Sequence, residues 1–168
     1  FQLVKQEAPT SKYSYGASYY IADLILKTVP APTPEAAEQA IALFKDYLKN
    51  APDGRFAPEI AGRLEGLASQ GTIQLSPADY ELIARSYYNF GNWNGALKAW
   101  ERADSNKNLF LRAIALSHVN RHEDARTTLI QAIKNDPNSR SYSSAGALLS
   151  NPLTKAQAAD LWKACLAA

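Results

Sequence analysis

Residues 76–137 read SPADYELIARSYYNFGNWNGALKAWERADSNKNLFLRAIALSHVNRHEDARTTLIQAIKNDP, and this stretch decides the fold. Tyr80, Ile83, Ala84 and Tyr87 fall three and four residues apart, the spacing that lines one face of a helix. Gly91 marks a turn, after which Ala96, Trp100 and Ala103 repeat the spacing. A second unit follows with Leu109, Ala113, Leu116, Ala125, Leu129 and Ala132, closing on Asp136-Pro137-Asn138. A third is expected from Tyr142, Ala145, Gly146, Leu149, Ala158, Trp162 and Cys165. Small side chains such as Ala84, Ala96, Ala113, Ala125 and Gly146 let paired helices approach, while Trp100, Leu129 and Trp162 fill the groove against the next pair. One such hairpin cannot bury its apolar face alone, so neighbouring pairs must stack. Helices are expected near 77–90, 92–104, 106–119, 121–135, 139–149 and 154–166. Ser76-Pro77-Ala78-Asp79 starts the first of them, and Thr154 with Gln157 forms a capping box for the last.

Upstream the pattern is less regular. Residues 1–11 lack helical periodicity and read as an irregular lead-in. Tyr15, Tyr19, Ala22 and Leu26 then outline a helix over 12–27, which Pro30 and Pro32 stop. Thr33 caps the next helix, with Pro34 at its first position and Glu35 in its first turn, and Ala37, Ile41, Phe44 and Leu48 share one face. Beyond the turn-rich 50–54, a helix over 57–69 carries Ile60, Leu64 and Leu67. Its Gly62 and Gly66, four apart, predict close approach of another helix. The expected organisation is a lead-in over 1–11, an irregular helical part with one weak repeat over 12–75, and three helix pairs over 76–168.

Composition agrees with an all-α chain. Among 168 residues Ala occurs 29 times and Val 3 times, a bias toward the best helix former and away from strand formers. Net charge is +2, too small to argue for phosphate neutralisation, so no nucleic-acid partner is expected. The charge is uneven: residues 1–84 hold 7 basic and 10 acidic side chains, and residues 85–168 hold 11 and 6. No apolar run reaches the roughly 18 to 20 residues of a spanning helix, so membrane insertion is not expected. The single Cys165 reads as a small buried hydrophobe. A chain that opens on Phe1 and has no Met suggests an excised piece of something larger.

Catalytic chemistry is sparse. His118 and His122 have the four-residue spacing of zinc ligands, but Asn120-Arg121 between them falls at an expected turn, so two unrelated histidines are the better reading. Strings for phosphate cradles or hydrolase nucleophiles are lacking. No catalysis, cofactor or metal is expected within the chain.

The paired pattern resembles the tetratricopeptide repeat (TPR), with its Trp, Leu-Gly and Tyr positions, an Ala-x3-Phe helix and a closing Pro. The likeness covers about 76–166 well and 12–52 weakly. It departs in spacing, since Ala96 to Ala125 is 29 residues against the usual 34, and in Arg112, which occupies an apolar position. The resemblance implies a right-handed superhelical α-solenoid of antiparallel pairs whose first helices line a concave groove. It therefore selects Glu81, Arg85, Tyr88 and Asn89, then Lys107, Phe110 and His118, then Arg140, as contacts for a protein or peptide partner. Ile114, Ser143 and Ala147 fall on the same faces. Glu81 and Arg85 occupy two places of the family's Lys and Asn clamp for chaperone C-termini, which disfavours that partner. Tyr13 and Tyr20 are expected at the surface, able to stack on sugars or peptides, and Tyr15 and Tyr19 against the following helix. Finally, residues 40–58 resemble the helical part of soluble lytic transglycosylases. That likeness implies an alternative: a non-catalytic domain of a peptidoglycan-cleaving enzyme in the periplasm or cell envelope, whose catalytic Glu lies elsewhere.

Overall fold

The computed structural model describes residues 2–7, 11–28, 33–104 and 106–136, with 156, 159, 160 and 163 beyond them. Every regular element among the described residues is helical, and none is a strand. The helices are α1 (Gln2–Glu7), α2 (Lys12–Thr28), α3 (Pro34–Asn50), α4 (Ala57–Ser69), α5 (Pro77–Asn89), α6 (Trp93–Ala103), α7 (Leu109–His118) and α8 (His122–Asn135). The third repeat, Pro137 and the Thr154 capping box lie outside the described residues, although 156, 159, 160 and 163 are helical.

Local chemistry sets the helix starts. Thr33 accepts the Ala36 N–H at 3.3 Å ahead of Pro34. Ser76 and Asp79 form a reciprocal capping box: the Ser76 hydroxyl accepts the Asp79 N–H at 3.3 Å, and the Asp79 carboxylate accepts the Ser76 N–H at 2.8 Å. Asn92 caps α6 through the Gly95 N–H at 3.1 Å. Gly91, with φ +73°, supplies the left-handed turn after α5 that a side chain would resist.

The chain divides into two compact units, Phe1–Gly91 and Asn92–Ala168. Within the first, α2 packs on α1 and α3, and α3, α4 and α5 pack on one another. Its core holds Tyr19 and Ala22 of α2, Phe44 and Leu48 of α3, Ile60 and Leu64 of α4, and Ile83 and Ala84 of α5. Within the second, α7 packs on α6 and α8, enclosing Ala96, Trp100, Ala113, Leu116, Ala125 and Leu129. Each large aliphatic side chain so buried contributes about 1.5–3 kcal/mol. Within each unit helices therefore lie on their neighbours in the chain, a repeat-like habit, and the small alanines sit where the periodicity put them.

Two local expectations change. Residues 2–7 are helical rather than irregular, because α1 packs against α2; six residues would not hold a helix alone. The Gly62 and Gly66 pair is not a close-packing seam. A Cβ at Gly62 would meet only the Tyr87 hydroxyl, at 3.8 Å, and one at Gly66 would meet nothing within 4 Å among the described residues.

Candidate functional site

The expected partner contacts are distributed over both units. On α5, in the first unit, Arg85 and Asn89 are exposed while Glu81 and Tyr88 are half-buried. Burial pushes the Tyr88 hydroxyl pKa up. In the second unit, Lys107 is exposed just ahead of α7, Phe110 and Ile114 are half-buried on it, and His118 is exposed at its end. The His118 ring stacks on Trp93, with centroids 4.2 Å apart and planes 6° from parallel. Arg140, Ser143 and Ala147 lie outside the described residues. His118 and His122 stand on different helices, separated by Asn120 in a left-handed turn with φ +61°. Among the described residues, no group of three or more His, Cys, Asp or Glu is placed to hold a metal ion.

An aromatic concavity lies elsewhere, in the first unit. One side of α2 supplies Tyr13, Tyr15, Gly16, Ala17 and Tyr20; the end of α3 and the turn after it supply Tyr47, Ala51, Gly54, Arg55 and Phe56. They enclose a cleft of about 650 Å³. Tyr13 is 70% exposed and Tyr20 39%, so both stand at the rim as the sequence leads one to expect. Tyr15 is half-buried along the wall and Tyr19 is buried behind it.

A ring cluster builds the wall. Tyr19 and Phe56 stack at 4.0 Å with planes 4° apart, and Tyr20 meets both edge-on, at 5.2 Å from Tyr19 and 5.3 Å from Phe56. The Arg55 guanidinium lies 4.5 Å from the Phe56 centroid, a cation held over a ring face.

The turn is locked onto α3. Tyr47 Oη accepts the Phe56 N–H at 3.3 Å, and the Gly54 N–H donates to the Ala51 carbonyl at 3.0 Å. A Cβ at Gly54 would run into the Tyr47 hydroxyl and lie 3.1 Å from the Ala51 carbonyl, so this position needs glycine for close approach. Burial raises the Tyr47 pKa, outweighing the opposing pull of the Phe56 N–H bond and of Arg55.

Behind the rings a polar network ties α2 to α4. Tyr19 donates to Glu59 Oε1 at 2.7 Å, Arg63 donates to the same oxygen at 2.9 Å and to Asp23 Oδ1 at 2.5 Å, and Lys27 pairs with Asp23 at 3.0 Å. Burial, followed by the bond to Glu59, pushes the Tyr19 pKa up to about 12. Burial works to raise the Asp23 pKa, but its bonds to Lys27 and Arg63 prevail and hold it below the usual carboxylate range.

The cleft is therefore an aromatic trough with the exposed Tyr13 and Tyr20 at its rim and, among the described residues of its lining, one cationic side chain, Arg55. Among the described residues that lining includes no His, Cys or carboxylate. Tyr47, Gly54, Arg55 and Phe56 are not marked out in the sequence as site residues. The available signal is the tight Pro52-Asp53-Gly54 turn, which carries the basic and aromatic pair Arg55-Phe56 straight back toward a helix.

These elements define an all-helical, repeat-like protein bearing an aromatic cleft. No protein-family model matches the chain, and no curated protein or solved structure is significantly similar to it. No described helix is long and apolar enough to cross a membrane.

Proposed function

We propose that this chain is a non-catalytic, TPR-like scaffold of antiparallel helix pairs that binds a protein or peptide partner through the first helices of its pairs. One observation carries the reading. The small positions Ala84, Ala96, Ala113 and Ala125 are wholly buried, while Arg85 and Asn89 on α5 and Lys107 and His118 beside and on α7 remain exposed. Buried alanines are what closely paired helices require, and the exposed cations and amide are suited to charge-assisted bonds with a partner's carboxylates. Tyr88 and Phe110, each half-buried, add apolar contact area on the same helices. The test is charge reversal of Arg85, Lys107 and Arg140 to Glu together, followed by quantitative pull-down, with far-UV circular dichroism as the control for folding. The scaffold reading requires loss of the partners retained by the natural chain; unchanged retention of all of them refutes it.

A second reading makes the chain the helical region of a peptidoglycan-cleaving enzyme. It is supported by residues 40–58, the stretch that resembles those enzymes, which form most of α3, the locked turn and the start of α4. A lysozyme-like segment in the parent gene is its required companion, and the gene sequence tests it directly.

A further inference from the structure

We propose that the aromatic cleft of the first unit is a second binding site, one that receives an apolar side chain of a peptide segment that also presents a carboxylate to Arg55. None of its residues belongs to α5 or α7, so this inference stands separately from the reading above.

Shape comes first. At about 650 Å³ the cleft falls within the range of roughly 300–1,000 Å³ of sites that bind small groups. Its rim residues Tyr13 and Tyr20 stay exposed, so it does not enclose a whole ligand and is suited to anchoring one side chain of a longer chain. The wall needs little rearrangement to bind, because Phe56 is stacked on Tyr19 and its backbone is bonded to Tyr47.

Gly16 is the second, independent observation. It lies inside α2 and lines the cleft, yet a Cβ there would meet nothing within 4 Å among the described residues. Glycine inside a helix costs about 0.5–1 kcal/mol relative to alanine, and packing among the described residues does not call for it. Its missing side chain leaves that part of the cleft lining open to a ligand.

Charge narrows the chemistry. Among the described residues of the lining, Arg55 is the one that carries a formal charge. Asp53, on the same turn, is not part of the lining, and Glu59 is engaged by Tyr19 and Arg63. An apolar trough with one cation at its edge complements an apolar group beside an anion. Tyrosine rings suit peptide recognition, since they offer a large rigid surface at low entropic cost. A glycan would need a fan of polar side chains for its many hydroxyls, and this lining offers mainly rings.

The experiment titrates the full chain, followed by amide NMR, with three probes: a capped peptide of sequence Ala-Phe-Asp-Ala, the same peptide with Asn for Asp, and chitotetraose. Shifts are expected at Gly16, Gly54, Arg55 and Phe56 with the acidic peptide, and affinity about fivefold weaker for its Asn form, as one exposed charge pair allows. Arg55→Gln should erase that difference, and added salt should shrink it. Gly16→Leu should abolish binding, whereas Gly16→Ala should raise the melting temperature. Equal affinity for the two peptides, unchanged peptide binding by Gly16→Leu, or shifts at these residues with chitotetraose alone would each overturn the proposal. Arg55 lies on an exposed turn, so its variant tests the charge argument even where Gly16→Leu does not fold.

Discussion

Asp79 joins two helices through a single oxygen, and its removal is the sharpest test of how the first unit is held. Asp79 Oδ2 accepts the Ser76 N–H, the Ser76 hydroxyl and the Lys45 ammonium, each at 2.8 Å. The first two secure the start of α5; the third ties that start to α3. Asp79→Ala removes half of a capping box, typically about 1 kcal/mol, together with charge-assisted bonds worth roughly 1.5–3 kcal/mol. The Lys45 side chain is 32% exposed and can turn to water, so no stranded buried charge is added to the cost. We therefore expect a loss of about 2.5–4 kcal/mol, which for a urea slope of about 1–3 kcal/mol/M moves the midpoint down by roughly 1 M or more.

The pH dependence isolates the charge. Burial works to raise the Asp79 pKa, but Lys45 and the Ser76 donors prevail and hold it below the ordinary value of 3.8. A carboxylate lowered in the folded state stabilises at pH above its unfolded value, and that contribution disappears as pH falls through the folded one. The gap between the natural chain and Asp79→Asn, measured by urea titration followed at 222 nm, should hold constant from pH 5 to 8 and close below about pH 4. A midpoint change under about 0.2 M at pH 7, or a gap undiminished at pH 3, refutes the argument.

Three further outcomes follow from packing and titration. Gly54→Ala should cost about 1–3 kcal/mol because the new methyl meets the Tyr47 hydroxyl, and Tyr47→Phe in the same chain should recover part of the loss; a double-mutant cycle in urea reads the coupling, and strict additivity would contradict it. Trp100→Ala, at a wholly buried position, should cost about 3–5 kcal/mol and remove most of the helical signal of the second unit on mild heating, seen as an early transition by circular dichroism. Alkaline titration at 295 nm should resolve late-ionising tyrosines: Tyr19, raised to about 12, and Tyr87, raised further by burial and its bond to Glu65. Because these folded values exceed the unfolded 10, their stabilisation is complete below pH 10 and lost as pH climbs through the folded values; Tyr19→Phe and Tyr87→Phe should each remove one late step.

Much of this architecture was legible residue by residue. The caps at Thr33 and Ser76 and the turn at Gly91 depend on backbone groups within three or four residues, so short strings announce them. The buried alanines and Trp100 follow from spacing, because one helical face repeats every three to four residues. Tyr13 and Tyr20 were legible as surface rings, for they fall off the apolar face of α2. Gly62 and Gly66 misled: their spacing permits a close helix contact but does not supply the partner, and a Cβ at Gly66 would meet nothing within 4 Å among the described residues.

The sequence by itself thus determined α2 to α8, their approximate ends and the side of each that turns inward, since those depend on interactions between near neighbours, whereas α1 needed its contact with α2. Tertiary structure alone decided the cleft. Tyr20 and Phe56 are 36 positions apart, and no periodicity relates an aromatic on α2 to one on the turn after α3. What brings them together is the packing of α2 on α3 and the bond from the Phe56 N–H to Tyr47 Oη, a contact between a buried ring and a backbone group nine residues on. Such a site is set by where whole helices come to rest, and that depends on the summed burial of many side chains rather than on the local identity of any one.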